Sequence, residues 1–150
     1  MATGISGKAQ RRNNYGVTVE RAAQTVPATG NTTIFNVTGG RVILTYLIGE
    51  VTTVMSATAT NLKISAVGTV STVSTDLCSN TAVTSLAVGN QFSPSAIGSA
   101  ATVGSAVVQN NETVIPVGII RITTDATNTG AMRWTLLYVP LDDGAVVTAA

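Results

Sequence analysis

The sequence predicts an all-β fold, either a β-sandwich or jelly roll or a small β-barrel, with an extended N-terminal arm. From residue 32 the chain is rich in Val, Thr and Ile, which suit a pleated, half-buried surface. Glycine-containing turns separate these runs, and no stretch repeats its apolar residues at helical spacing. The 150 residues suffice for one domain that needs no disulfide or metal to stabilise its core.

The N-terminal segment differs in composition from the rest, and we expect an arm over residues 1–30 and a β-domain over 31–150. Residues 1–21 are rich in Gly, Asn and Gln and carry one acid, Glu20. They carry four cations, which are Lys8, Arg11, Arg12 and Arg21. Such a segment becomes ordered on a partner, and we expect its cations to contact an acidic protein surface. A solvated tail and a nucleic-acid contact are the alternatives.

The first half of the β-domain shows three strand patterns. Strands are predicted over 32–37, 41–54 and 61–67, the last continuing over 67–73. Thr38-Gly39-Gly40 forms a turn before the long second strand. That strand is apolar on both faces, which predicts a central position in a sheet. One face is predicted to hold Val42, Leu44, Tyr46 and Ile48. Gly49 indicates a bulge or bend.

The second half is less regular. Residues 113–124 read as an edge or bulged strand because Pro116 and Gly118 interrupt them. Residues 131–139 alternate cleanly and form the last predicted strand, followed by a turn and a small-residue tail over 145–150. Residues 80–108 have weak periodicity and are compatible with short strands, an excursion loop or a short helix over 95–101.

Composition excludes much of enzyme chemistry, and we expect no enzyme activity and no cofactor or metal. Histidine is absent, so the commonest general base and metal ligand are missing. The apolar run over 42–48 is too short to span a membrane, and no secretory signal is visible. Charged residues make up only 10% of the chain against roughly 25% in ordinary soluble domains. This scarcity predicts a surface that other subunits cover.

Individual candidates for chemistry favour structural roles. Asp142 and Asp143 precede Gly144 and suit a turn, whereas Glu50 suits a strand end or bulge better than a catalytic acid with a raised pKa. Cys78 suits a buried apolar position. Trp134 and Tyr138 share one strand face, which predicts core packing, with a carbohydrate platform as the alternative.

Two segments resemble parts of small virion proteins of tailed bacteriophages. They are residues 35–53, FNVTGGRVILTYLIGEVTT, and residues 127–144, TNTGAMRWTLLYVPLDDG. The resemblance implies a head decoration, or cement, protein made in the host cytoplasm. It also implies a homotrimer that binds the major capsid protein on the phage head surface. A tail, fibre or adaptor protein and a small carbohydrate-binding module are the alternatives, and we expect neither membrane nor nucleic-acid binding.

Overall fold

A computed structural model describes residues 4, 6–107 and 112–150 of the chain. The elements are α1 (Gly7–Tyr15), β1 (Val17–Thr25), β2 (Gly30–Thr38), β3 (Val42–Thr53), β4 (Asn61–Gly68), β5 (Ser74–Asp76), β6 (Thr81–Ala82), β7 (Gln91–Ser93), β8 (Thr102–Gly104), β9 (Thr113–Ile115), β10 (Gly118–Thr124), β11 (Ala131–Pro140) and β12 (Val146–Ala149). The strands form two antiparallel sheets that face each other as in a sandwich, with no closed barrel. The predicted all-β class is therefore confirmed.

Each sheet has six strands. The first sheet runs β1-β11-β3-β7-β8, with β9 also paired to β3. The second runs β12-β2-β10-β4-β5, with β6 also paired to β4. At one side the edge strands β1 and β12 lie next to each other. At the other side the amide of Ser79 donates to the main-chain oxygen of Ser99 at 2.8 Å, which links the segments that follow β5 and precede β8.

The core lies between the sheets, and side chains alternate strictly between core and surface along β10 and over residues 132–138 of β11. In β11 the inward side chains are Met132, Trp134, Leu136 and Tyr138. The Trp134 ring packs edge-on against Phe92, with 6.2 Å between the ring centroids. Gly49 of β3 lies beneath this ring, and a Cβ atom there would stand 2.6 Å from Cζ3 of Trp134. Gly49 therefore provides space for the indole ring, and the bulge lies elsewhere.

The register of β3 with β11 shifts by one residue at Thr45 and again at Thr52. Leu44 pairs with Tyr138, and Tyr46 already pairs with Leu137. Because side chains alternate along a strand, a one-residue shift moves the inward face to the other set of positions. The predicted face is therefore wrong beyond Leu44, and Leu47 and Val51 point into the core instead.

Several predicted boundaries require correction. The strand predicted over 113–124 is divided at Pro116 into β9 and β10, and β10 lies centrally between β2 and β4. The strand over 61–67 ends at Gly68 and does not continue over 67–73. Of the alternatives for residues 80–108, short strands form as β6, β7 and β8, and the helix over 95–101 does not. The predicted tail forms β12 on β2. The central position predicted for the long strand is confirmed, since β3 lies between β11 and β7.

The extended arm predicted over 1–30 is the largest correction. Residues 7–15 form helix α1, and residues 17–25 form β1, which pairs with β11 from Val17 to Thr25. β1 supplies the amide and carbonyl groups that complete one side of β11, so it belongs to the sheet. Residues 1–3 and 5 of the predicted arm, and residue 108 of the irregular segment, lie outside the described residues. In the described part of the chain, no helix is long and apolar enough to cross a membrane.

Candidate partner-binding surfaces

A cationic cleft of about 780 Å³ lies between α1 and the outer face of the first sheet. Lys8, Arg11 and Arg12 of α1 line one wall, and none of the residues of this helix is buried. The floor contains Thr18 of β1 with Thr135 and Leu137 of β11, and Glu20 also lines the cleft. We refer to this site as the cationic cleft.

Helix α1 is attached to the sheet at its C-terminal end. The Tyr15 ring packs edge-on against Tyr46, with 5.6 Å between the centroids. The Thr45 hydroxyl lies 2.7 Å from the main-chain oxygen of Tyr15, within hydrogen-bonding distance. Gly16 follows with a φ of +92°, and a Cβ there would lie 2.0 Å from the Tyr138 carbonyl oxygen. Glycine is therefore required where the chain turns from the helix into β1.

Arg21 does not belong to the cationic cleft. It pairs with Trp134 in β11 and is only 6% exposed. Its Nε donates to the main-chain oxygen of Ala150 at 3.0 Å, and its Nη2 contacts the amide oxygen of Gln24. Burial disfavours the charged guanidinium and lowers the pKa of Arg21. Arg21, predicted to contact an acidic protein surface from an extended arm, is instead buried in the fold and joins the edges of the two sheets.

The cations of the cleft differ from Arg41, Lys63 and Arg133 in having no acidic partner. Three ion pairs are present in the described residues, and none involves Lys8, Arg11 or Arg12. The pairs are Arg41–Asp142 at 2.7 Å, Lys63–Asp76 at 2.9 Å and Arg133–Glu50 at 2.6 Å. The three cations therefore remain available to acidic groups of a partner, and Glu20 lines the cleft without forming an ion pair with them.

Two of the acidic candidates, Glu50 and Asp142, each form one of these ion pairs. Glu50 lies within β3, not at a strand end or bulge, and it accepts from both Nε and Nη2 of Arg133. Asp142 and Asp143 lie in the predicted turn. Asp142 accepts hydrogen bonds from the Arg41 side chain and from its backbone amide, which lowers the pKa of that carboxyl to about 2. Glu50 thus joins β3 to β11, and Asp142 joins its turn to Arg41.

The remaining candidates are buried. Trp134 is 1% exposed and Tyr138 is 4% exposed, so these two rings cannot form a surface platform for a sugar. Cys78 is fully buried, as predicted, and desolvation raises the pKa of its thiol to about 11. A protonated, inaccessible thiol is a poor nucleophile.

A second surface was missed at the sequence level. A groove of about 260 Å³ opens between the β4–β5 turn and β9. Its lining includes Val73, Ile97 and Val114, whose side chains are 72%, 56% and 53% exposed. We refer to it as the apolar groove. The sequence signal for this groove was the presence of apolar residues within a Gly/Ser/Thr-rich segment. It was missed because residues 67–73 were interpreted as the continuation of a strand.

Neither surface contains the components of a metal site. In the part of the chain that the structure describes, no three His, Cys, Asp or Glu residues are grouped to hold a metal ion. Comparison of the chain with protein-family models, curated proteins and solved structures found no match. Functional inference therefore depends on the two surfaces themselves.

Proposed function

We propose that this chain is a non-enzymatic structural subunit of a virion, a decoration protein that binds the head lattice of a tailed bacteriophage as a homotrimer. The single observation that supports the proposal best is the apolar groove, because it exposes three branched aliphatic side chains together. Contiguous exposed apolar surface is typical of protein interaction sites. The groove is therefore assigned to contacts between subunits.

The energetics favour covering this groove. Fully burying an exposed Val or Ile side chain stabilises a complex by roughly 1.5–3 kcal/mol. Association itself costs at least about 4 kcal/mol in lost freedom of motion, so one such contact is insufficient. Three residues repeated around a symmetric oligomer supply several such contacts at once. The low charge of the chain removes the repulsion that would otherwise keep copies apart.

The resemblance of residues 35–53 and 127–144 to small phage virion proteins supplies the biological context of the proposal. In the structure these segments include β3 and β11, the two central strands of the first sheet. They form the scaffold of this sheet, and β11 also supplies Thr135 and Leu137 to the floor of the cationic cleft.

Sedimentation velocity of the purified chain tests the assembly. We expect a trimer for the wild type and a monomer for Val73→Ser/Ile97→Ser/Val114→Ser, in which the groove loses its three exposed branched side chains. Val88→Ser is the matched control, because Val88 is 59% exposed and does not line the groove. A wild-type monomer, or a trimer that survives the triple substitution, would contradict this role of the groove.

Binding to particles tests the location. We expect the chain to co-sediment with phage heads assembled without it and to appear in cryo-electron microscopy maps on the outer surface of the head. Density on the tail would favour a tail, fibre or adaptor component. Absence of binding to both heads and tails would refute the proposed function.

A further inference from the structure

The cationic cleft has a shape and charge that indicate the chemistry of its partner. We infer that it binds an extended, carboxylate-bearing segment of a protein, with Asp or Glu side chains facing α1 and aliphatic side chains facing the sheet. This inference rests on the proposed function, because it names what the subunit recognises on the protein lattice. No acidic side chain in the described residues forms an ion pair with the cations of the cleft.

The three cations are arranged on one side of α1. Arg11 and Arg12 lie three and four residues after Lys8, a spacing that brings side chains onto the same helix face. All three line the cleft and belong to a helix with no buried residue. Guanidinium groups bind carboxylates in a bidentate, charge-assisted geometry, so Arg11 and Arg12 can each hold one acid.

The floor of the cleft is suited to a polypeptide. Thr18 and Thr135 provide hydroxyl groups that can donate or accept, and Leu137 provides apolar surface. Glu20 lies in the same cleft and can accept from backbone amides of the bound segment. An extended peptide presents alternating side chains and free amides, and therefore matches a floor of mixed character.

The same features disfavour nucleic acid. Nucleic-acid affinity comes largely from neutralising many phosphates, and the cleft offers three cations with Glu20 among them. Binding of single strands also relies on aromatic rings that stack on bases. The rings at the C-terminal end of α1, Tyr15 and Tyr46, pack edge-on against each other. They therefore do not form a pair of open ring faces on which bases could stack. A carboxylate-bearing protein segment is therefore the better match.

The test uses the full-length chain and a library of random twelve-residue peptides displayed on phage. We expect selection on the immobilised wild type to enrich peptides with at least two acidic residues. A synthetic copy of an enriched peptide should bind Arg11→Gln/Arg12→Gln about tenfold more weakly or worse, measured by fluorescence anisotropy. Arg41→Gln/Arg133→Gln is the matched control, because it removes the same charge from two residues outside the cleft, each 57% exposed. The affinity of this control variant for the same peptide should stay within about twofold of that of the wild type.

Three outcomes would overturn the inference. These are enrichment of peptides without acidic residues, equal binding by the cleft variant, and tighter binding of a twenty-nucleotide single-stranded DNA through the same arginines. Matched thermal unfolding midpoints of the variants show that each one is folded. A trimer that binds phage heads but selects no acidic peptide would refute the cleft inference alone. If the chain selects acidic peptides but does not bind virions, the proposed function is refuted and the cleft inference is not.

Discussion

Two neighbouring segments of equal length, α1 and β1, differ sharply in how they join the protein. Both have nine residues and belong to the polar N-terminal region, and Gly16 separates them. Helix α1 buries no residue, whereas β1 pairs with β11 on both sides of a bulge after Arg21 and directs Arg21 inward. The comparison shows that a polar composition does not distinguish a surface segment from an integral edge strand.

The physical difference lies in where the backbone hydrogen bonds go. A helix satisfies most of its amides internally, so α1 can lie on the surface and depend only on its attachment at Tyr15 and Gly16. A strand requires a neighbour, and β1 obtains one in β11. We therefore expect changes in the attachment and in β1 to affect folding, and changes on the exposed face of α1 to affect binding only.

The junction between the two segments should show the largest effect. Gly16→Val places a side chain 2.0 Å from the Tyr138 carbonyl oxygen at a positive φ, and should lower the free energy of unfolding by about 3 kcal/mol. Urea denaturation measures the change. Gly7→Ala is the control, because the nearest atom lies 3.7 Å away, and should stay within about 0.5 kcal/mol of the wild type. Equal losses for both variants would show that α1 and β1 are not joined as described.

Removing the inward cation of β1 should have the next largest effect. The Arg21→Ala variant loses the hydrogen bond to Ala150 and the long side chain that covers the sheet edge. Its free energy of unfolding should be lower than that of the wild type by about 2 kcal/mol. Arg21→Met retains the apolar bulk without the charge and should lose less, because burial already disfavours the guanidinium. Chemical denaturation of both variants measures the difference. If Arg21→Met lowers the free energy of unfolding as much as Arg21→Ala does, the stabilisation comes from the charged guanidinium and not from the apolar bulk.

Loosening α1 should produce a smaller and local effect. Tyr15→Ala removes the edge-on contact with Tyr46, which is worth about 0.5–1.5 kcal/mol. Trypsin should then cleave after the basic residues of α1 faster than in the wild type, as followed by mass spectrometry of the folded protein. Cleavage after Arg21 should remain slow in both, since that residue is paired within the sheet. Acceleration at Arg21 as well would mean that β1 opens together with α1.

The exposed cations of α1 should contribute least to stability. Arg11→Gln/Arg12→Gln should change the free energy of unfolding by less than about 0.5 kcal/mol, because surface charges without a partner stabilise little. Thermal and urea unfolding measure this directly. A larger loss would indicate that these arginines support the fold, and the cationic cleft would then need a structural explanation.

Several elements were predictable because their signals are local. The alternation over β11 predicted the inward row that contains Trp134, and the Gly39-Gly40 turn correctly separated β2 from β3. The turn at Asp142 and the burial of Cys78 also follow from residue type. The face of β3 beyond Leu44 was not predictable, because the bulge at Thr45 is set by its register with β11.

The candidate surfaces were predictable only in part. The sequence indicated a cationic N-terminal segment, and three of its four cations do line one cleft. Arg21 could not be separated from them, because its burial depends on the pairing of β1 with a strand more than one hundred residues away. The apolar groove brings together Val73, Ile97 and Val114 from three distant segments, so no local pattern could reveal it.

By itself, the sequence determined that this protein is all-β, poor in charge, without histidine and cationic at its N-terminus, because composition and short-range alternation are properties of the chain alone. Tertiary structure decided that β1 belongs to the sheet, that Arg21 is buried, and that a cationic cleft and an apolar groove exist. The reason is that strand pairing in an antiparallel sandwich joins residues far apart in sequence, and only that pairing decides which side chains meet.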